Sequence, residues 1–224
     1  MQHHETSPPA PRQRDLFLES EGDRYFERNA TKDINSSACA FYRNFIKPGD
    51  RVLEIGCSSG KNLEYLQMSA GCEAYGIDPS AKAIETGKRS FEELKLTIGT
   101  SDRLDFSDKF FNVVIFGFCL YLVDRELLAR SVAEADRVLK NEGYLIITDF
   151  DAKFPLKRPY KHKPGVFSYK MDYAALFLAN PSYSMADKQC FSHVEQQFNP
   201  DPADRVASVA LYKNHLHAYV LDPE

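Results

Sequence analysis

The sequence predicts an α/β fold: a mostly parallel sheet with helices on both faces and an antiparallel last strand. Three observations predict it. Short apolar runs alternate with helix-period segments from Arg51 to Thr148, which demands parallel strands joined by right-handed crossovers. Asn112 to Phe116 (NVVIF) is an apolar run of the kind buried on both faces of a sheet. A glycine-bearing turn, Gly56 to Gly60, directly follows the first run, as in α/β proteins that bring backbone close to a ligand.

Residues 1–14 are polar and proline-rich and read as a mobile leader. Residues 15–224 read as one domain, with N-terminal helices over 15–48 and a substrate-side insertion over 151–180. Asp33, an N-cap type, precedes Ile34, Ala38, Phe41 and Phe45 at helical spacing, and Pro48-Gly49-Asp50 ends that helix. Arg51 to Ile55 is the first strand, and a helix through Leu63 and Leu66 follows the glycine turn. Ala74 to Ile77 is the second strand, with Ser80 placed to cap the next helix. Leu94 to Ile98 and Asn112 to Phe116 continue the pattern. Asp124 then caps a long helix carrying Leu127, Leu128, Val132, Ala135, Val138 and Leu139, stopped near Asn141 and Gly143. Tyr144 to Thr148 is the next strand, and Arg205 to Tyr212 alternates like a terminal antiparallel one. Between them, Asp151 to Lys170 shows no clear period, and a long loop of that kind is often functional.

Composition narrows the function. The formal net charge is −4, which disfavours a non-specific nucleic-acid binder. The longest apolar run, Val113 to Val123, is too short to cross a bilayer, and the N-terminus carries no apolar signal core. The 5 cysteines are scattered without a CxxC pair, so neither a disulfide framework nor a metal site is expected, and a reducing cytoplasm is the simplest compartment.

The chemistry gathers at three turns. In Val52-Leu53-Glu54-Ile55-Gly56-Cys57-Ser58-Ser59-Gly60, Ser58 and Lys61 stand where a nicotinamide-binding GxGxxG array needs its second and third glycines. That argues against a nicotinamide-dependent oxidoreductase. In Tyr75-Gly76-Ile77-Asp78-Pro79-Ser80, an acid at the tip of the second strand is placed to accept two ribose hydroxyls. The third turn is Gly99-Thr100-Ser101-Asp102-Arg103-Leu104. Taken singly, Glu54 also reads as an end-of-strand carboxylate and Asp78 as a helix-start residue favoured by the dipole.

In their order and spacing, these motifs resemble the class I S-adenosylmethionine-dependent methyltransferases over roughly residues 50–150. The resemblance implies a Rossmann-like fold with a seven-stranded sheet and S-adenosyl-L-methionine as cofactor. It implies that Glu54, Gly56, Cys57, Ser58 and Gly60 surround the methionine part and that Asp78 and Pro79 hold the ribose. Thr100, Ser101 and Asp102 would border the adenine, and Phe116 and Gly117 would line the site after the fourth strand. Two departures stand out: Ser58 replaces a usual glycine, and Thr100 stands where an acid commonly meets the adenine amino group.

Two flanking segments concern the acceptor. Glu21 to Asn29 (EGDRYFERN) and the stretch Pro159-Tyr160-Lys161-His162 through Phe167 to Ala174 are similar to parts of the methylases linked to pseudaminic acid and other bacterial surface sugars. That likeness implies a small-molecule acceptor, a carbohydrate or nucleotide sugar. Tyr25 and Arg28 share a helical face; Arg28 is a candidate partner of the cofactor carboxylate and Tyr25 a cover for the site, or the two form a surface ion pair and a half-buried ring. Tyr121, Arg158, Tyr160, Lys161, Tyr169 and Lys170 are candidate acceptor contacts, and His162 the candidate base. From Lys153 to Lys163 there are five cations and no acid, which points to an anionic acceptor. Two other readings stay open: a cofactor-binding protein without transfer activity, and an RNA or protein methyltransferase.

Overall fold

The computed structural model describes residues 11–192 and 205–215, together with 218, 219 and 222. The first described residues form α1 (Gln13–Leu16), which runs through a π-helical turn (Phe17–Glu21) into α2 (Gly22–Asn29), and α3 (Ser36–Arg43) follows. The alternating body then unfolds as β1 (Arg51–Ile55), α4 (Lys61–Ala70), β2 (Glu73–Asp78), α5 (Ala81–Ser90), β3 (Lys95–Ile98) and β4 (Phe111–Gly117). A 3-10 turn (Leu120–Leu122) leads to α6 (Arg125–Val138) and β5 (Leu139–Phe150). After them come β6 (Leu156–Pro159), β7 (Phe167–Lys170), α7 (Ala175–Leu178), β8 (Tyr183–Ser192) and β9 (Arg205–Lys213).

Seven strands form one sheet in the order β3-β2-β1-β4-β5-β9-β8. The first five are parallel, and β9 enters antiparallel beside β5 with Tyr144 opposite Tyr212 and Phe150 opposite Val206. The order reverses at β1, so the carboxyl ends of β1, β2 and β4 open a crevice at the switch point, where open α/β sheets bind ligands. One face of the sheet packs Leu63, Leu66 and Ile84 against Val52, Val113 and Ile115; the other packs Ala135 and Val138 against Leu53, Val114 and Leu145. Each such side chain contributes about 1.5–3 kcal/mol on burial, and together they make the strand tips a rigid platform. Among the described residues no helix is long and apolar enough to cross a membrane.

Several expectations need correction. The cap of α3 is Asn35, whose side chain accepts from Ala38 N–H, rather than Asp33. Asp124 does not cap α6 with its side chain; its carboxylate accepts the N–H groups of Gln13 and Arg14 instead. The leader therefore ends earlier than residue 14: Gln13 is 5% exposed, and its amide bonds Leu122 and Phe167. The stretch after β5 is not irregular. It holds an antiparallel hairpin, with Leu156 opposite Lys170 and Pro159 opposite Phe167, whose four-residue strands are too short to reveal an alternation. Ser80 does cap α5, accepting from Ala83 N–H at 3.0 Å.

Candidate functional site

The crevice holds a cavity of about 300 Å³ whose floor is the glycine turn after β1. Gly56 has φ +80°, a left-handed conformation that favours glycine, and a Cβ there would lie 2.7 Å from Cys119 Cβ. Ser58 is left-handed too, at φ 51°, so the residue in the place of a glycine keeps a glycine-like backbone. Its N–H donates to Asp78 Oδ2 at 2.9 Å while Ser80 N–H donates to Oδ1 at 2.9 Å. Two backbone donors thus aim the Asp78 carboxylate along the cavity wall, and burial pushes its pKa up to about 6 against those bonds.

Glu54 lies behind this turn, 1% exposed. Asn62 donates to its Oε1 at 3.0 Å and ties the same amide back to the backbone N–H of Asn35. Oε2 of Glu54 is buried with no hydrogen-bond partner, and desolvation raises the carboxyl to about 7. Gly117 is its neighbour: a Cβ there would fall 2.6 Å from Oε1. Glu54, expected at the cofactor, does not itself line the cavity; Asn62, which it holds, does.

Of the residues expected at the cofactor, Tyr25, Gly56, Cys57, Ser58, Asp78, Pro79, Thr100, Ser101, Asp102 and Gly117 line this cavity. Gly60 does not. It sits at φ +83° before α4, where a Cβ would meet Leu94 Cδ1 at 2.8 Å, so its smallness serves packing. Phe116 does not either; it is wholly buried against Phe177, because its side chain alternates onto the core face of β4. Ser101 turns its hydroxyl to Ser131 at 2.8 Å, and Asp102 is bridged by Arg14 at 3.1 Å. Asn62, Asn29, Phe118 and Arg14 also line the cavity; no spacing rule marked them.

A second, larger cavity of about 1170 Å³ opens between α2, the hairpin β6–β7 and the ends of β5 and β9. Its wall includes Arg28, Lys32, Tyr121, Arg158, Tyr160, Lys161, His162 and Lys170. Arg28 thus lines the second cavity and not the first, with Nη2 on Glu21 Oε1 at 2.6 Å and on the Tyr160 hydroxyl at 3.0 Å. Tyr169 is off the wall as well, lying under the Arg125 guanidinium at 4.3 Å. His162 is exposed on the hairpin turn, edge-on to the Tyr160 ring. Arg158 and Lys161 form no ion pair with any described residue.

The two cavities share Tyr25, Asn29, Lys32, Asp33, Asn35 and Phe118. Tyr121 donates its hydroxyl to that of Tyr25 at 3.4 Å. Phe118 has φ 57° and packs edge-on against Tyr121 and Phe150, a strained backbone of the sort found where a side chain must be aimed. Asp149, at the end of β5, accepts the N–H of Tyr121 at 3.2 Å and of Phe150 at 2.7 Å. Burial raises it to about 7.

The topology and the acid-tipped turns define the class I methyltransferase fold. Residues 53–147 match the family model described as Methyltransferase domain. Among relatives, the ribosomal protein L11 methyltransferase of Thermosipho africanus is 26% identical over 132 residues, covering 57% of this chain and 48% of its own. The cyclopropane-fatty-acyl-phospholipid synthase of Escherichia coli K12 is 30% identical over 108 residues, covering 48% and 28%. The chain spans about half the length of the first curated relatives it matches. Among solved structures, the Burkholderia thailandensis 1,6-didemethyltoxoflavin-N1-methyltransferase, bound to 1,6-didemethyltoxoflavin and S-adenosylhomocysteine, superposes with a TM-score of 0.69 at 16% identity over 93% of each chain. The [4+2]-cyclase SpnF superposes at 0.60 and 16%, over 79% of each. Neighbours with such different chemistry share the fold alone.

Proposed function

We propose that the protein transfers the methyl group of S-adenosylmethionine to a small anionic acceptor, of the carbohydrate or nucleotide-sugar class. The observation that carries this reading is the shared rim of the two cavities: a ligand in the first abuts a ligand in the second at Tyr25 and Phe118. Gly117 and Asn62, the latter held by the buried Glu54, line the part of the cavity that would take the amino-acid end of the cofactor. Gly56, Cys57 and Ser58 would border that end, Asp78 and Pro79 would hold the ribose, and Thr100 with Asp102 would meet the adenine.

Bound S-adenosylmethionine supplies an electrophilic methyl on a sulfonium sulfur. The chain's own task is then positioning. Asp78 and Asn62 fix one ligand; Tyr25 and Tyr121 orient the other at the rim; Phe118 and Phe150 exclude water there. His162 is the candidate to take the proton of an O–H or N–H acceptor. Arg158, Lys161 and Lys170 give the second cavity a positive wall in a chain of net charge −4, which selects anions. The ring of Tyr160, in the wall of that cavity, offers a face for a sugar.

The test is transfer of labelled methyl from S-adenosylmethionine to a panel of sugar phosphates, nucleotide sugars, neutral sugars, RNA and ribosomal protein. Labelled sugar phosphates or nucleotide sugars are the expected result. Label in RNA or protein alone would overturn the acceptor class. Tight S-adenosylhomocysteine binding without any product would favour a binding protein.

A further inference from the structure

Glu21 and Arg28 form an ion pair that stability does not explain. Glu21 is 0% exposed, lies in the last position of the π-helical turn, and leaves Oε2 buried with no partner. A buried carboxylate satisfied on one oxygen is costly compared with an apolar side chain in the same space, and π turns recur at functional sites. Its single ionic contact is the 2.6 Å bond to Arg28 Nη2, and the same nitrogen reaches the hydroxyl of Tyr160 on the hairpin at 3.0 Å. One corner of the guanidinium is therefore fixed from two elements, while Nε and Nη1 donate to no other described residue. Arg28 lines the second cavity, and its Cζ stands 5.9 Å from the centre of the Tyr25 ring, which borders both cavities.

We propose that Arg28, clamped by Glu21 and Tyr160, is the specificity-determining residue that receives an oxyanion of the acceptor, a phosphate or carboxylate. With both Nη2 hydrogens taken by Glu21 and Tyr160, Nε and Nη1 point to opposite edges of the fixed guanidinium, and each offers an oxyanion one directed, charge-assisted hydrogen bond. The unpaired cations Arg158 and Lys161 draw anions into the cavity, and Arg28 fixes one of them. Because Arg28 lies one aromatic ring from the shared rim, the charged group of the acceptor sits within a few bonds of the atom that receives the methyl. This inference rests on the proposed anionic acceptor and names the residue that reads it.

The experiment is calorimetric titration of inorganic phosphate into the full chain loaded with S-adenosylhomocysteine, for wild type, Arg28→Lys, Tyr160→Phe and Glu21→Gln, with Arg158→Ala/Lys161→Ala as comparator. Arg28→Lys keeps the charge and loses the fixed, directed donors, and should weaken phosphate about tenfold or more while leaving S-adenosylhomocysteine affinity unchanged. Tyr160→Phe, which removes one hydroxyl from a half-buried ring, should weaken phosphate a few-fold and remains informative should Glu21→Gln unfold. Phosphate binding that survives Arg28→Lys but is lost in the Arg158/Lys161 double variant overturns the role of Arg28 and leaves the anionic acceptor standing. A loss of S-adenosylhomocysteine affinity in Arg28→Lys overturns it in favour of a cofactor contact. Wild-type protein that binds no phosphate overturns the anionic reading itself.

Discussion

The two sides of the ligand crevice are built from different materials. On the β1–β2 side the wall is mostly backbone: left-handed Gly56 and Ser58, and a carboxylate gripped by the N–H groups of residues 58 and 80. On the α2–hairpin side the wall is long side chains on short elements, with Arg28 of α2 bonded to Tyr160 beside a hairpin of four-residue strands that also brings Lys161 to the cavity. Backbone anchored in a parallel sheet holds a fixed shape, suited to a ligand that never changes. Side chains on a small appendage can be exchanged without disturbing the sheet, suited to a ligand that differs from one relative to the next.

The largest effect should come from the fixed side. Asp78→Ala removes a preoriented charged acceptor and should cost about 1.5–3 kcal/mol of S-adenosylhomocysteine binding, read by calorimetry beside an unchanged circular dichroism spectrum. A folded variant of normal affinity would take Asp78 out of the site. Gly56→Ala tests whether that wall is also structural. The added Cβ meets Cys119, and φ stays at +80°, so about 1–3 kcal/mol of unfolding stability should go together with cofactor affinity. If only binding suffers, the turn is a ligand surface rather than a packed joint.

The variable side should respond more mildly and to salt. Arg158→Ala with Lys161→Ala should raise the apparent KM for an anionic acceptor several-fold, more at low ionic strength, and leave cofactor affinity alone. Equal KM values at low and high salt would break the contrast. The smallest effect concerns protons. Glu54 is raised to about 7 by burial, so the folded, ligand-free protein holds this proton more tightly than the unfolded chain does. Its contribution is present at low pH and is lost as pH rises from about 4.5 through about 7. Glu54→Gln should flatten the decline in Tm between those values. A steeper decline in the variant would reverse the assignment.

The same contrast explains what was legible in the sequence. Arg51–Ile55, Asp78 and the Ser80 cap could be read because a buried parallel strand and a helix start impose local patterns. Gly60 and Phe116 were read from motif position, and the structure gives both to packing, since alternation along a strand and the neighbours of a Cβ are three-dimensional facts. Arg28 was expected beside the cofactor carboxylate, whereas its structural partners are Glu21, two helical turns back, and Tyr160 on a hairpin 132 residues on, a contact that only the tertiary fold makes. Asp149 and Asn62 carry no local signature at all. β8 escaped notice as an edge strand whose residues are mostly exposed. The segment 193–204, between β8 and β9, lies outside the described residues.

Gln13 sets a condition on how the molecule is made. Its amide binds Leu122 and Phe167, 109 and 154 residues further along, and its backbone N–H binds Asp124. On the ribosome α1 is made before all of these partners, Leu122 and Asp124 coming before the hairpin and Phe167 with it. A lengthening chain can dock α2 once α5 is made, through Asp23 and Glu27, but must carry α1 without these bonds until residues 122–124 have followed. This wall of the crevice is completed late, by residues made long before the partners that hold it.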